Sequence, residues 1–340
     1  MSNVHDPRPG TMPAGRGLIV ILVALLTWSL LFAPRLEEAA EVHDGGARRT
    51  ASLIVLAPLA GLSDVVGLTR VTDGVQRAVG LDPDAQPGDE DLPVDPLPDV
   101  PTSPQPSPEA PSVDTPTPIR TPTPSRKLRV AIIGDSLAAG VGYFAGRVFD
   151  PTLSRVSRQG RISTGLSRPD YFDWPRAMER IIAGYRPDLV IVMIGENDGQ
   201  HIRSSTGRIE AQAATTAWPP AYAERVREFM SIAVAGDARV VWVGLPVLRD
   251  RAKWSGIRRR NEIYAEAAAA IGDVEYLDAW DLFDAPDGGY TAYLHDGGRL
   301  QEVRTQDGVH FTPIGYTILV REIARLATER FGLDPATYSP

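Results

Sequence analysis

The sequence predicts an α/β domain in which a parallel sheet is covered by helices on both faces. Between residue 128 and the C-terminus, short apolar runs typical of buried strands alternate with stretches of helical periodicity. Strands that alternate with helices favour a parallel sheet between two helical layers. Two strands end in the polar runs Gly134-Asp135-Ser136 and Gly195-Glu196-Asn197, and the carboxyl ends of parallel strands are where such sheets gather catalytic groups.

The individual elements follow from the apolar runs and the residues that border them. The strands are expected at Leu128–Ile133, Leu189–Ile194, Val240–Val243 and Val274–Leu277, with a weaker signal near Arg155–Arg158. The helices are expected at about 173–185, 220–235, 261–271 and 313–331, and Asp173 is the N-cap of the first. A small hairpin is expected where Tyr290–Leu294 and Leu300–Arg304 flank Gly297-Gly298.

An apolar run near the N-terminus predicts a membrane anchor. No charged residue lies between Gly17 and Ala33, and the run is at the short end of the membrane-spanning range. A cleaved signal peptide is the alternative, but Leu31 and Glu38 stand where cleavage after Ala33 or Ala40 needs a small residue. We therefore expect residues 1–16 in the cytoplasm, a single-pass signal-anchor at 17–33 and the catalytic domain on the extracytoplasmic side of the cell membrane.

The residues between the anchor and the domain fall into two segments. Residues 34–81 are a membrane-proximal segment, in which the apolar stretch 51–62 favours an interfacial position, with a re-entrant or second spanning helix as the alternative. Residues 82–125 hold 14 of the 30 prolines and are typical of a disordered polyproline linker that reaches about 130 Å when extended. The hydrolase domain is expected at 126–335.

Composition excludes several classes of function. The net charge of −8 and the pI near 5.3 argue against a nucleic-acid partner, because no basic stripe offsets the acidic total. The chain has no cysteine, which excludes thiolate metal sites, disulfides and cysteine nucleophiles. No cluster of histidine and acidic residues has metal-ligand spacing, so no metal is expected.

Three separated motifs hold the residue types of a nucleophilic hydrolase. Ser136 directly follows the first strand, and its hydroxyl needs a base to become a nucleophile. Asp307 precedes His310 by three residues, a spacing at which a carboxylate can hold the ring and stabilise its protonated form. Asn197 ends the second clear strand and can point its amide at a developing oxyanion. Each motif alone is also consistent with a cap or a surface turn, but their order after successive strands favours one shared site.

In this order the motifs resemble those of the SGNH (GDSL-type) hydrolase family, over about residues 128–331. Ser136 matches the serine of the first family block, Asn197 the asparagine of the third, and Asp307 with His310 the pair of the fifth. The runs 164–175 and 197–200 are also similar to a bacterial subgroup catalogued as a domain of unknown function.

The resemblance implies a flavodoxin-like three-layer sandwich and ester hydrolysis without metal or other cofactor. It implies that His310 takes the proton of the Ser136 hydroxyl and that Asp307 orients His310. The acyl oxygen is then held by the Ser136 N–H, the Gly165 N–H and the Asn197 side chain. Gly160 competes with Gly165 for the glycine position of the second block.

Three further residues are candidates for substrate binding. His201 lies shortly after Asn197, Arg168 belongs to an arginine cluster around Gly165, and Trp174 belongs to an aromatic run that can stack on a sugar. The alternatives are a solvated loop histidine, an arginine paired with a surface acid and a tryptophan that packs in the core.

These observations favour a membrane-anchored extracytoplasmic serine esterase that acts on an acylated glycan of the cell envelope or a small ester. The glycan part depends on the expected location and not on any specificity residue. An O-acyltransferase is the first alternative, since it shares the acyl-serine intermediate and differs only in the acceptor. A non-catalytic envelope-binding protein on the same fold is the second alternative. The sequence leaves the oligomeric state open.

Overall fold

The apolar runs of the sequence form the strands of a central sheet. The computed structural model describes residues 94–98 and 118–339. Its strands are β1 (Leu128–Gly134), β2 (Ser154–Gly160), β3 (Leu189–Met193), β4 (Ile202–Arg203), β5 (Ile209–Ala211), β6 (Arg239–Val243), β7 (Val274–Leu277), β8 (Tyr293–Asp296) and β9 (Arg299–Glu302). Its helices are α1 (Ser136–Ala145), α2 (Trp174–Tyr185), α3 (Trp218–Val234), α4 (Trp254–Ala269), α5 (Ala279–Leu282) and α6 (Pro313–Phe331).

The sheet has five strands in the order β2-β1-β3-β6-β7, and every neighbouring pair is parallel. Counted along the sheet, this is the 2-1-3-4-5 order of flavodoxin-like sheets. The residues of β3 and β6 are all buried. Burial on both faces explains why these strands are continuous apolar runs without alternating polar residues.

The helices form two groups that cover the two faces of the sheet. From β1 the chain moves outward to β2 and then returns past β1 to β3, β6 and β7. Because parallel crossovers are right-handed, this reversal places α1 on one face and the crossover helices α2, α3 and α4 on the other. The helix contacts agree, since α1 packs on α6, whereas α3 packs on both α2 and α4.

The reversal of strand order between β1 and β3 creates the crevice that carries the candidate site. The connections that follow β1 and β3 leave the sheet toward opposite faces, so the loops at the carboxyl ends of these two strands separate. Ser136 follows β1 at this point, and a short 3-10 turn, Glu196–Asp198, follows β3.

The predicted α/β class and its central parallel sheet are confirmed. The last predicted helix and the strand at 274–277 have the expected bounds, and β8 and β9 form the expected antiparallel hairpin. Helix α4 begins at Trp254, seven residues before the predicted start at 261. Helix α1 and the short elements β4, β5 and α5 were not predicted.

The predicted anchor at 17–33 and the segment 34–81 lie outside the described residues. Within residues 94–98 and 118–339, no helix is both long and apolar enough to span a bilayer. Two stretches of the predicted linker, 94–98 and 118–125, are described, and both contact the domain. Ile119 is buried, and the Arg120 guanidinium donates to both carboxylate oxygens of Asp188 at 2.9 and 2.7 Å. Residues 94–98 and 118–125 therefore pack on the domain although they precede residue 126.

Candidate active site

Ser136 is the first residue of α1, and only Asp135 separates it from Gly134, the glycine that ends β1. The carboxylate of Asp135 caps the helix by accepting the Leu137 N–H at 3.0 Å. Gly134 has a φ of +144°, and a Cβ there would lie 1.8 Å from the Met193 carbonyl oxygen. Only glycine therefore fits this turn, which brings the half-buried Ser136 hydroxyl into the crevice.

The structure brings Ser136, His310 and Asp307 together, although 174 residues separate the serine from the histidine. The His310 Nε2 atom lies 2.8 Å from the Ser136 Oγ atom. On the other side of the ring, Nδ1 lies 2.7 Å from Oδ2 of Asp307. Because an ionised carboxylate only accepts hydrogen bonds, Nδ1 carries the proton and the Nε2 lone pair faces the serine hydroxyl. This is the tautomer that a general base for Ser136 needs.

The Asp307 carboxylate is held in its charged form by a dense set of donors. Partial burial raises its pKa, but this effect is outweighed by hydrogen bonds from the Thr305 hydroxyl, the His310 ring and the backbone N–H groups of Val309 and His310. The net result is a pKa well below the ordinary value. The negative charge that stabilises a protonated His310 ring is therefore retained to a lower pH than the charge of an ordinary aspartate.

Arg304 holds the loop between Asp307 and His310 through hydrogen bonds to its backbone carbonyls. Its side chain is fully buried, and its Nη2 donates to the Val309 carbonyl at 2.7 Å and to the Gly308 carbonyl at 3.3 Å. Burial lowers its pKa to about 10. The guanidinium carbon lies 4.5 Å from the ring centroid of Phe311, and two of its nitrogens have no hydrogen-bond partner among the described residues. The aromatic face thus supplies part of the stabilisation that a buried cation needs.

Arg249 holds the same loop from the opposite side. Its backbone N–H donates to the Gly308 carbonyl at 3.0 Å, and its side chain donates to the Gln306 carbonyl. Gly308 has a φ of +75°, and a Cβ there would lie 2.4 Å from the Arg249 side chain. Arg304 and Arg249 therefore fix the loop that carries Asp307 and the candidate base His310.

Asn197 and Gly165 lie on the loops that follow β3 and β2. The Asn197 side-chain amide donates one hydrogen bond to the Thr164 carbonyl at 3.1 Å, which orients the amide and leaves its second N–H for another acceptor. The carbonyl of Thr164 belongs to the same peptide unit as the Gly165 nitrogen, so the two predicted oxyanion donors are structurally coupled.

A buried network of hydrogen bonds to the Asp198 carboxylate holds these two loops together. Its carboxylate accepts the Leu166 N–H at 2.9 Å, the Ser167 N–H at 2.8 Å and the Tyr222 hydroxyl at 2.7 Å. The Tyr264 hydroxyl lies 2.8 Å from that of Tyr222. Burial and the nearby Asp198 charge raise the pKa of Tyr222 well above its ordinary value, so this tyrosine stays a neutral donor.

Close packing requires glycine at both positions that compete for the second family block, and the role of Gly165 as an oxyanion donor remains a prediction. A Cβ on Gly165 would lie 2.1 Å from Oδ1 of Asp198, so the loop needs glycine to approach the Asn197 turn. Gly160 instead ends β2, where a Cβ would lie 2.3 Å from the backbone of Ala139 in α1. Gly160 therefore permits close packing of the helix that follows Ser136.

Asp135 connects the two strand ends that form the crevice. Its buried carboxylate accepts the N–H groups of Gly195 at 2.9 Å and Glu196 at 3.1 Å, in addition to that of Leu137. Burial and the Glu196 charge raise its pKa to about 7, and the three N–H donors only partly oppose the rise. This side chain ties the turn before Asn197 to the turn before Ser136.

The three predicted substrate-binding residues lie in different environments. Trp174 is fully buried and donates its indole N–H to the Thr164 hydroxyl at 3.0 Å, so its suggested sugar-stacking role is wrong. Arg168 binds Asp170 and the Gln200 side-chain carbonyl. His201 is half-buried, and its Nδ1 accepts the Ala213 N–H at 2.8 Å. Arg168 and His201 remain predictions as substrate contacts.

Within the part of the chain that the structure describes, no group of three histidine or acidic residues is placed so that it could hold a metal ion. The sequence argument missed Arg304, Arg249, Tyr222 and Tyr264. The sequence did offer a hint for Asp135 and Asp198, since each is the direct neighbour of a predicted site residue.

Comparison with solved structures found proteins of similar fold at low identity. A GDSL-like lipase from Bacteroides thetaiotaomicron is 18% identical, with 62% of this chain and 92% of that chain covered and a TM-score of 0.42. An acetylxylan esterase mutant from Geobacillus stearothermophilus is 17% identical, with 61% and 95% covered and a TM-score of 0.40. An alpha/beta hydrolase from the metagenome of Lake Arreo, Spain, is 18% identical, with 60% and 96% covered and a TM-score of 0.43.

Comparison by sequence gave one family and no individual relative. No curated protein matches the chain. Residues 129–326, which are 198 of the 340 residues, match one family model, that of a domain of unknown function, as the motif runs predicted. The chain belongs to the family described as "Protein of unknown function (DUF459)".

Proposed function

We propose that the protein is a serine hydrolase that cleaves carboxylic esters through an acyl intermediate on Ser136. The observation that carries the proposal is the hydrogen-bonded series Asp307–His310–Ser136, with distances of 2.7 and 2.8 Å, at the reversal point of a parallel sheet. The resemblance to SGNH hydrolases noted from the sequence motifs points to the same chemistry.

The geometry supports a two-step reaction. In the first step His310 Nε2 takes the Ser136 proton while Oγ attacks the ester carbonyl carbon. His310 then gives this proton to the leaving alcohol as the ester C–O bond breaks, and an acyl-serine remains. In the second step His310 takes a proton from water, the hydroxide attacks the acyl carbon, and the carboxylic acid leaves as the proton returns to Ser136.

Both steps pass through a tetrahedral intermediate whose negative oxygen needs donors. The candidates are the N–H of Ser136 at the start of α1, the N–H of Gly165 and the second N–H of the Asn197 amide. The fixed orientation of Asn197 supports this role, since preorganised donors need no rearrangement when the charge develops. Removing one such donor typically lowers kcat by ~10²–10³-fold.

We further propose that the domain acts outside the cytoplasm, on O-acyl groups such as acetyl esters of a cell-envelope glycan. The apolar run at 17–33 and the proline-rich run at 82–125 support a membrane tether. The partial exposure of Asp307 (48%) and His310 (36%) is consistent with a substrate that reaches the site from solvent.

The proposal is tested with the full chain and its Ser136→Ala variant, using p-nitrophenyl acetate and an acetylated glycan. We expect the variant to lose turnover by roughly 10⁴-fold or more and to unfold at the same temperature as the wild type. Ser255→Ala, at an exposed helical serine, is the matched control and should keep full activity. Equal activity in the Ser136→Ala protein would contradict the proposal.

The same assay separates the proposal from its two alternatives. With an unacetylated glycan present, an esterase releases free acetate. An O-acyltransferase produces acetylated acceptor instead, and a binding protein gives neither product in a Ser136-dependent way.

A further inference from the structure

The proline-rich stretch Val94–Pro98 lies along β2, which is an edge strand of the sheet. The Asp95 N–H donates to the Arg158 carbonyl at 2.8 Å, and the Arg158 N–H donates to Oδ2 of Asp95 at 2.8 Å. The Arg158 guanidinium also lies 3.3 Å from Oδ1 of Asp95. One aspartate thus satisfies both main-chain groups that Arg158 presents at the edge, and pairs with its charge.

The second half of this stretch packs against α2. Leu97 contacts the hydrophobic core, and the Pro98 carbonyl accepts hydrogen bonds from Nε and Nη2 of Arg180 at 3.2 and 3.0 Å. A Cβ added to Gly184 would lie 2.3 Å from the Cβ of Pro98. The helix therefore has a glycine at the place where the segment touches it.

An edge strand needs protection because its free N–H and C=O groups can pair with a strand from another chain. The residues after Asp95 alternate with prolines at 96 and 98, which have no N–H to offer outward. A further strand therefore cannot add onto this segment through a regular ladder. The stretch covers β2 without creating a new pairing edge.

We propose that Val94–Pro98 is an intramolecular edge cap, which occupies the outer side of β2 and is the point where the linker is attached to the domain. This inference does not depend on the chemistry proposed for Ser136. It changes the expected reach of the linker. Only residues 82–93 then separate the membrane-proximal segment from the domain, so that the extended length falls from about 130 Å to about 37 Å.

The chain on the other side of the segment is also attached. The Ile119 N–H donates to the Phe331 carbonyl at 2.7 Å, and Arg120 pairs with Asp188 at 2.7 Å. Residues 99–117 therefore connect two fixed points on one domain. This short connection keeps the effective concentration of the segment at its own edge high and favours the intramolecular partner over a second copy.

A first experiment disrupts the contact of the cap with α2 while the sequence of Val94–Pro98 stays unchanged. In the full chain, Gly184→Ala places a methyl group against Pro98 while it raises the helix propensity of α2, so any loss of the cap is not a loss of the helix. Gly146→Ala is the control, because a Cβ there meets nothing within 4 Å. Hydrogen exchange is followed at the Arg158 amide, whose partner is Asp95.

We expect exchange at Arg158 to accelerate about tenfold or more in the Gly184→Ala protein, while the β2 amides that pair with β1 stay protected in both variants. The same exchange rate in Gly184→Ala, Gly146→Ala and wild type would overturn the proposal.

A second experiment tests which copy of the chain provides the cap. Because the protein has no cysteine, the double variant Pro98→Cys with Gly184→Cys contains a single thiol pair. The two Cβ atoms need to separate from 2.3 Å to about 3.8 Å for a disulfide, and the bond, once formed, keeps the segment beside its own helix although the new side chain at 184 loosens the packing. We expect mild oxidation to give a disulfide within one chain. Disulfides only between chains, or none, would contradict an intramolecular cap.

Discussion

At the scale of single residues, the site depends on how the loop from Thr305 to His310 is held. Asp307 receives four hydrogen bonds, and these keep its pKa low and its position fixed. Arg304 lies behind this loop and acts on it only through the backbone. Its guanidinium touches no reacting atom, but it binds the carbonyls of Gly308 and Val309 and lies against Phe311. We regard it as a positioning residue for His310.

Replacing Arg304 tests this role. In Arg304→Lys the charge remains, but one ammonium group cannot bind both carbonyls in the same plane or lie flat on Phe311. We expect kcat for ester hydrolysis to fall up to ~10²-fold with little change in KM, because a small displacement of the base is enough. Arg325→Lys, on the exposed face of α6, is the control.

A purely structural role for Arg304 would give a different result. The proton between His310 Nδ1 and Asp307 should give a downfield NMR signal in the wild type, and this signal should shift or broaden in Arg304→Lys. A lower melting temperature with an unchanged signal and unchanged kcat would contradict a positioning role.

Sequence reasoning found the candidate triad, whose members the structure brings together, and missed the residues that hold it in place. Ser136, Asn197, Asp307 and His310 stand in short motifs next to strand ends, where a polar residue is informative. Tyr222 and Tyr264 lie in the middle of helices, and nothing in the sequence distinguishes them from ordinary core residues. Their role depends on a contact between distant elements.

At the scale of elements, the site requires α1 to lie very close to β2. The carboxyl ends of β1 and β2 pair at Gly134 and Gly160, and α1 crosses directly over this pair. The position of α1 sets the position of the Ser136 N–H and hydroxyl. The close approach is possible only because Gly160 has no side chain.

A methyl group at Gly160 should therefore reduce stability. In Gly160→Ala the new Cβ meets the N and Cα atoms of Ala139 at 2.3 Å, and backbone atoms cannot move aside as a flexible side chain does. We expect the free energy of unfolding to fall by about 1–3 kcal/mol, measured from the urea midpoint. Gly146→Ala should change it by less than about 0.5 kcal/mol. Equal midpoints for the two variants would contradict this packing argument.

The elements predicted well are those with strong local signals. Helix α6 has Thr312 as its N-cap, Pro313 in its first turn and Gly332 at its end, and its bounds were predicted to the residue. The start of α4 was placed too late because Gly256 and a run of arginines conceal the apolar spacing of its first turns. The two-residue strand β4 exists only through tertiary contacts, which local patterns do not contain.

At the scale of the whole molecule, the buried acid Asp135 links folding to pH. Its pKa is raised to about 7, against an ordinary value of 3.8, mainly because burial disfavours the charged form. The folded state therefore keeps a proton that the unfolded chain releases between these two values. Asp278 and Asp284 are shifted in the same direction.

The sign of the effect follows from this difference in bound protons. We expect the free energy of unfolding to decrease as pH rises from about 4 to 7, by at most about 1.4 kcal/mol per pH unit for Asp135, and to level off above 7. Urea midpoints across this range provide the measurement. Asp135→Asn should show a shallower slope than the wild type, and equal slopes would contradict the assigned pKa.

The central claim concerns the whole chain, since it requires residues from three distant stretches to form one reactive site. Reaction of the full chain with a fluorophosphonate, followed by peptide mass mapping, tests it most directly. We predict one label per molecule, located on Ser136 and lost in His310→Ala. A label on another residue, no label, or equal labelling in the His310→Ala variant would contradict the account.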